Sequence, residues 1–151
     1  MDTFAHAVWS YIIFHQTNMP LLAIFFGVMP DLFSWTLYMV YRLIKREKFS
    51  RPDIRKVPSW VFFMYGLTHS IFVFGAVSAI IFLITGNMPI YLWAWLIHIL
   101  IDIPTHSRKF LPTPFLWPLS DWKFPGFSWG QKWFMITNWS AIIIVVLIIF
   151  F

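Results

Sequence analysis

The sequence predicts an all-α integral membrane protein, a single multi-pass domain over residues 1–151. We expect a compact bundle of about five hydrophobic helical segments, with an aromatic and proline-rich loop at the membrane interface. Hydrophobic residues make up 60% of the chain and charged residues only 11%, whereas a soluble domain usually carries about 25% charged residues. The apolar residues also occur in long runs between short polar stretches, as membrane spans do.

The first predicted helix starts from a cap at Asp2 or Thr3 and ends near His15, where Asn18 and Pro20 interrupt the apolar run. This helix is short for a membrane span. The same region lacks a basic leading segment and an Ala-x-Ala-like cleavage site, so we expect no removable signal peptide.

The second apolar segment extends from Leu21 to about Ile44 and contains a proline. Pro30 has no backbone N–H, so one helical hydrogen bond is lost at this point. We therefore expect a break or kink between Gly27 and Pro30, followed by a new helix with Asp31 in its first turn.

The longest apolar run starts at Pro58 and continues through Ile84. At about 1.5 Å per residue it exceeds the roughly 30 Å hydrocarbon core, so it is the clearest predicted span. A turn follows, and the next helix runs from Ile90 to about Ile103. Pro104 ends that helix, which is marginal in length for crossing the membrane alone.

Four prolines lie among aromatic residues in the segment 105–132, which predicts an ordered loop at the headgroup level. The final run, Trp133 to Phe151, is expected to span the membrane. Seven of the eleven Lys and Arg residues lie between Arg42 and Lys56, and the other four lie in the 105–132 segment. Both segments are therefore predicted to be cytoplasmic, and the uncharged turn at Gly86–Met88 to be external.

Composition also narrows the chemistry. The chain has no Cys, which excludes disulfides, thiolate metal sites and Cys nucleophiles, so a metal ion would be held by imidazole and carboxylate. The net charge of +5 does not predict a nucleic-acid interface. Its main cluster lies in a loop beside predicted spans, and that placement is typical of a topology signal.

Several ionisable residues lie in or beside the apolar runs, where an Asp at mid-membrane costs about 2.5 to 3.5 kcal/mol. Two unpaired central Asp residues would cost roughly 5 to 7 kcal/mol, which is comparable with the whole stability of a small domain. Pairing with His residues or with a cation removes this cost. Counted from the cytoplasmic ends of the helices, the residues have similar depths, so we expect one shared pocket. They are His6, Asp31, His69, His98 and Asp102.

The strongest pair is His98 and Asp102, because an i, i+4 spacing puts both side chains on one face of a helix. The two can ligate one cation together. Alternatively, Asp102 accepts the second ring N–H of His98 and only orients the imidazole. A His–Asp hydrogen bond without any metal would also neutralise the two buried groups.

Each of the other three residues has a structural alternative. His69 lies between two hydroxyl-bearing residues and can be a hydrogen-bond donor with no ligand. Asp31 follows a proline and can cap a helix start. His6 can be an interfacial polar residue, and we assign His15 and His106, near helix ends, to water or headgroups.

Taken in chain order, the short motifs are His6 in the first helix, Pro30-Asp31, Thr68-His69-Ser70, His98-x-x-x-Asp102 and Trp117-Pro118. This series resembles the membrane-bound metal-dependent hydrolases of the YdjM-like group, and the likeness covers most of the chain. Leu32 and Phe33 stand where members often have a second Asp, and no Arg precedes the Thr-His-Ser step. A reduced ligand set leaves open one metal in place of two, or an inactive relative. The resemblance implies a prokaryotic cytoplasmic membrane protein whose metal ligands are His6, Asp31, His69, His98 and Asp102.

The leading hypothesis is a metal-dependent hydrolase that acts on a lipid-borne or membrane-accessible ester or phosphoester. His69 and His98 would be primary ligands and Asp31 and Asp102 anionic ligands. A carboxylate left off the metal would act as general base, so the two Asp residues are the candidate catalytic groups. Imidazole with carboxylate suits Zn²⁺ best, with Mn²⁺ or Fe²⁺ as alternatives. The competing hypothesis is a non-catalytic membrane protein whose cluster is a structural metal site or a proton or ion relay.

Overall fold

Helices form all the regular structure in the part of the chain that the computed structural model describes, residues 1–48, 52–109 and 111–151. This confirms the all-α prediction. A π-helical turn, Leu32–Thr36, joins α2 to α3, and short 3₁₀ turns, Ile54–Lys56 and Ile90–Leu92, precede α4 and α6. The α-helices are α1 (Thr3–Phe14), α2 (Pro20–Asp31), α3 (Leu37–Ile44), α4 (Ser59–Thr68), α5 (Ile71–Thr85), α6 (Trp93–Thr105) and α7 (Lys132–Phe150).

Two helical segments are long and apolar enough to cross a membrane, Pro20–Ile44 and Lys132–Phe150. The helices α4 and α5 would together form a third, but they are bent by 57° where they meet, so they are either a broken span or a re-entrant loop. The helix α1 and the segment Ile90–Thr105 are shorter apolar helices. Two to three candidate spans are therefore present among the described residues, and the bundle of about five membrane segments stays a prediction.

Close packing between α1 and α2 sets the position of the first helix. The Asp2 carboxylate caps α1 by accepting a hydrogen bond from the Ala5 N–H at 2.9 Å, as the sequence predicts. In α2, a Cβ added at Gly27 would lie 1.9 Å from the Ser10 hydroxyl oxygen of α1. Glycine is therefore required where the two helices touch, and this contact holds α1, with its buried His6, against the centre of the bundle.

The sequence predicts a break or kink near Pro30, and the structure shows an irregular turn shortly after Pro30 in place of a break. The helix α2 continues through Pro30 to Asp31 and then widens into the π turn. The Pro30 carbonyl accepts hydrogen bonds from the hydroxyls of Ser34 at 2.6 Å and Thr68 at 3.1 Å, so local side chains stabilise the irregular backbone. Asp31 consequently ends α2 instead of starting a helix, and its side chain makes no capping hydrogen bond. Such π turns occur frequently at functional sites.

The run predicted as one long span after Pro58 is interrupted at His69 and Ser70. Ser70 caps α5 by accepting hydrogen bonds from two N–H groups in its first turn, at 3.1 and 3.3 Å. The Ile71 N–H, freed by the bend, donates to the Phe115 carbonyl of the following loop at 3.0 Å. Serine is a favoured N-cap, so the apolar composition correctly indicated the length of the run but did not reveal its bend.

The proline-rich loop after α6 is tied back to the helices. The helix α6 extends beyond its predicted end near Ile103 to Thr105, and the N–H groups of Phe127 and Trp129 donate to the carbonyls of Pro104 and Thr105, both at 2.9 Å. The loop therefore covers one end of the bundle. Its predicted depth at the headgroups, and the predicted sides of the basic loops, stay predictions; residues 49–51 and 110 of those loops lie outside the described residues.

Candidate metal centre

Four of the sequence-predicted side chains meet in the interior of the bundle. Asp31 comes from the end of α2, His69 from the break between α4 and α5, and His98 and Asp102 from α6. One ligand atom of each lies within 4.8 Å of the ligand atoms of the other three. His69, His98 and Asp102 are 0%, 1% and 0% exposed, and the Asp31 side chain is 14% exposed. This group could hold a metal ion.

The distances within the group are close to those of a tetrahedral ligand set. The His98 Nε2 atom lies 3.2 Å from His69 Nε2 and 3.3 Å from Asp102 Oδ2, and His69 Nε2 lies 3.6 Å from the same oxygen. Asp31 Oδ1 lies 3.8 and 3.9 Å from the two nitrogens. Ligands 2.0 to 2.1 Å from a tetrahedral ion are separated by about 3.3 to 3.4 Å. Three donors therefore fit with shifts of a few tenths of an ångström. Asp31, whose ligand atom lies within 4.8 Å of the other three, would have to move farther to become a fourth ligand.

Backbone carbonyls orient both imidazoles toward the middle of the group. The Nδ1 atom of His98 lies 2.7 Å from the Gly27 carbonyl oxygen, and the Nδ1 atom of His69 lies 3.1 Å from that of Tyr65. A carbonyl oxygen can only accept, so each Nδ1 acts as the donor in these contacts. In the neutral form of each ring, the Nε2 atom then presents a lone pair to the other ring. Two lone pairs 3.2 Å apart cannot bond to each other, whereas a cation between them would satisfy both.

The two oxygens of Asp102 have different surroundings. Oδ1 accepts from His6 Nε2 at 2.9 Å and contacts the amino group of Met1. Oδ2 is buried and has no hydrogen-bond partner among the described residues. A buried carboxylate oxygen without a partner is costly, and this is the oxygen that faces His69 and His98. The position of Oδ2 therefore fits a metal ligand better than it fits a simple hydrogen-bond network.

His6, assigned to the ligand set by the resemblance, lies beside the four-residue group instead of in it. Its ring stacks on the ring of His98, with centroids 3.7 Å apart and planes inclined by 21°. Its Nε2 atom contacts the far oxygen of Asp102. In this arrangement His6 orients Asp102 and supports His98, which is the role that outer groups have around metal ligands.

Asp31 connects the group to a cavity of about 280 Å³ at the start of α1. Its Oδ2 atom accepts a hydrogen bond from the Thr3 hydroxyl at 2.7 Å, while Oδ1 faces the two imidazoles. Trp35 and Tyr65 also line this cavity. Of the four grouped residues, Asp31 is the one that borders the cavity, so a small molecule would approach the centre past this carboxylate.

Two further residues belong to this neighbourhood and were not assigned to it from the sequence. His106, expected in water or among headgroups, is 11% exposed, and its Nδ1 atom lies 3.6 Å from Asp102 Oδ1. The i, i+4 spacing that identified the pair His98 and Asp102 would also have identified His106, which follows Asp102 by four residues. The Tyr65 ring lies 4.1 Å from the His69 ring between centroids, one helical turn earlier, and no feature of the sequence distinguished it.

Comparison with protein-family models, with curated proteins and with solved structures finds no match for this chain. The resemblance to the YdjM-like group therefore rests on the order of its short motifs. The functional proposal depends on the chemistry of the four-residue group.

Proposed function

We propose that this protein is a membrane-embedded, metal-dependent hydrolase that acts on a lipid-borne or membrane-accessible ester or phosphoester, as the YdjM-like resemblance implies. One observation carries the proposal. The oriented Nε2 atoms of His69 and His98 and the unpartnered Oδ2 atom of Asp102 face one point. Three such donors, two neutral and one anionic, are typical of a divalent metal site.

The donor set favours zinc, with manganese or iron as alternatives, because imidazole suits these ions and the chain offers no thiolate. Catalytic zinc sites commonly use three protein ligands and keep a fourth position for water or substrate. Asp31 is the more distant of the two nitrogens' carboxylate neighbours and borders the cavity, so it would lie next to that fourth position. A divalent ion held by the three donors would lower the pKa of a water bound to it toward 7.

Asp31 is the group best placed to act as general base. Thr3 holds one of its oxygens, and the other faces both the centre and the route from the cavity. In the proposed reaction, Asp31 accepts a proton from the attacking water, whose oxygen bonds to the acyl carbon or phosphorus of the substrate. The ester bond breaks, and the leaving oxygen takes up a proton, so that one water is consumed. Asp102, the second candidate catalytic residue, is assigned here to metal binding.

The burial of the group favours a second candidate, a structural metal site or a proton or ion relay. Three of the four side chains are almost completely buried, and closed coordination is typical of structural metal sites. The two candidates differ in what Asp31 does. A structural site would use it as a fourth ligand, whereas a hydrolase would leave it free to exchange a proton.

Metal analysis of the purified protein tests the metal site that the hydrolase and the structural alternative have in common. We expect about one divalent ion per chain, and we expect a chelator to lower the melting temperature in detergent, because an ion bound to the folded state stabilises it. A wild-type protein that folds well, contains no stoichiometric metal and melts at the same temperature with chelator would contradict the metal centre.

The substitution Asp31→Asn separates the hydrolase from the structural site. It keeps the shape and removes the charge, so the hydrolase proposal expects metal to be retained and turnover of lipid esters or phosphoesters to be lost. Metal content and turnover are measured on the same preparation, with Asp53→Asn as a matched control at an exposed position. If Asp31→Asn releases the metal and the metal-loaded wild type turns over no substrate in such a panel, the structural alternative is favoured.

A further inference from the structure

A second cavity, of about 570 Å³, lies between α4 and the loop after α6. Its volume is in the usual range of ligand sites. It shares Tyr65 and Leu111 with the cavity that borders Asp31. The Tyr65 hydroxyl donates to the Leu111 carbonyl at 3.2 Å, so these two residues form the wall between the second cavity and the approach to the candidate metal centre.

One side of this second cavity is aromatic. Phe62 and Phe63 of α4 line it together with Trp117 of the loop. The Phe63 and Trp117 rings meet edge to face, with centroids 5.7 Å apart. A Cβ added at Gly66 would lie 3.1 Å from the Trp117 ring, so the indole lies directly on α4. Both Phe side chains are also exposed at the surface of a helix that belongs to a candidate span. The aromatic wall is therefore continuous with a surface that a bilayer would cover.

The other side of the cavity is basic. Arg108, Lys109 and Lys123 line it with one acidic residue, Asp121. The Arg108 Nε–H donates to the Lys123 carbonyl at 2.8 Å, which holds the two parts of the loop together. None of the three cations forms a direct ion pair with a carboxylate in the described part of the chain. Partial burial lowers the pKa of Lys123 below its usual value although Asp121 partly offsets this effect, so a further anionic neighbour would stabilise the ammonium group.

We propose that this cavity binds the phosphate monoester headgroup of an anionic phospholipid, with the first part of its acyl chains against the aromatic wall. A phosphate monoester presents several charged acceptor oxygens, which suit a cluster of Lys and Arg. The aromatic wall and its exposed continuation select an amphiphile over a free phosphate. That the bound lipid is also the substrate rests on the proposed hydrolase function, whereas binding itself needs no metal.

The test measures lipid binding to the purified full-length chain in detergent by native mass spectrometry, with any bound metal left in place. The probes are dioctanoyl phosphatidic acid, dioctanoyl phosphatidylcholine and glycerol 3-phosphate. We expect phosphatidic acid to bind about tenfold more tightly than phosphatidylcholine, because the latter has no phosphate monoester and carries no net charge. We expect glycerol 3-phosphate to compete weakly, because it lacks the apolar part.

Two double substitutions with the same change in net charge separate this cavity from general electrostatics. Lys109→Gln with Lys123→Gln should weaken phosphatidic acid binding about tenfold. Lys45→Gln with Lys132→Gln, at positions that do not line the cavity, should leave binding within about twofold. Lys109→Arg with Lys123→Arg should retain binding, which shows that the effect of the first pair is not caused by misfolding.

Equal binding of the two phospholipids, or equal loss of binding in the two double Gln variants, would overturn the proposal. Competition by glycerol 3-phosphate as strong as by phosphatidic acid would also overturn it, since the site would then recognise a small anion. If the lipid fails to bind but the metal-loaded wild type hydrolyses an ester, only this inference fails. If the lipid binds as expected and no metal or turnover is found, the binding site stands and the hydrolase function fails.

Discussion

The substitution His98→Ala gives the most direct test of the candidate metal centre. It removes one of the two Nε2 donors, the hydrogen bond to the Gly27 carbonyl, and the ring on which His6 stacks. The lost Nε2 atom is also the group atom nearest to Asp102 Oδ2, at 3.3 Å, so a cation could no longer be shared between the two. One change therefore affects both metal binding and stability, and the two effects can be measured separately.

The expected magnitudes follow from these contacts. Loss of the metal would remove the partner of the buried Asp102 carboxylate, and removing one partner of a buried charge pair costs about 3 to 5 kcal/mol. The lost hydrogen bond to Gly27 adds about 1 kcal/mol. For a chain of this size that loss lowers the melting temperature by roughly 10 to 20 °C. Removing a residue that only hydrogen-bonds to a metal ligand weakens metal affinity about 10- to 100-fold. Removing a ligand itself, such as His98, should therefore weaken metal affinity at least as much.

The assay determines metal content by mass spectrometry and melting temperature in detergent, for wild type and variant purified in parallel. His15→Ala is the matched control, because His15 lies at the end of α1, outside the four-residue group. It should retain both the metal and the wild-type melting temperature within about 2 °C, as most substitutions away from a site do. Asp102→Asn should lose metal as His98→Ala does, since it removes the anionic ligand while keeping its shape.

The reasoning would be refuted by three results obtained together in well-folded protein. The wild type would contain no stoichiometric metal, chelator would not change its melting temperature, and Asp102→Asn would be tolerated. A neutral amide can still hydrogen-bond to His98, so this combination is what a structural hydrogen-bond network produces. The metal centre and the hydrolase proposal would then both be abandoned.

Three further predictions concern the fold. Gly27→Ala should lower the free energy of unfolding by about 1 to 3 kcal/mol, because its Cβ would lie 1.9 Å from the Ser10 hydroxyl oxygen. Gly75→Ala, where an added Cβ meets nothing within 4 Å, should be neutral or stabilising by up to about 1 kcal/mol; melting temperatures decide both. Ser70→Ala should cost about 1 kcal/mol by removing the cap of α5, and a melting temperature equal to that of wild type would contradict it. Reporters fused at residues 50 and 87 should lie on opposite sides of the membrane. If both reporters lie in the same compartment, α4 and α5 form a re-entrant loop and not a span.

Features that depend on composition and on short spacings could be predicted without the structure. The low share of charged residues favours a membrane protein, and the apolar runs form helices, two to three of which are candidate spans among the described residues. Ionisable residues in those runs are costly to bury alone. This cost selected the four grouped residues Asp31, His69, His98 and Asp102, together with His6, which lies beside the group. The i, i+4 spacing of His98 and Asp102 placed them on one helix face, because the helix repeat is the same wherever a helix occurs.

The contacts between residues far apart in the chain could not be predicted in this way. They depend on helix packing and on local backbone irregularities, which the periodicity of apolar residues does not reveal. The Ser70 cap and the loop contact at Ile71 bend the predicted long span, so that His69 lies at a helix end inside the bundle. The hydroxyls of Ser34 and Thr68 bond to the Pro30 carbonyl at the point where α2 passes into the π turn. Two His residues face the shared point, and a third, His6, supports them. This difference depends on the oxygen atom that each ring nitrogen contacts, a backbone carbonyl or a carboxylate. These oxygens lie on other helices or in the preceding turn.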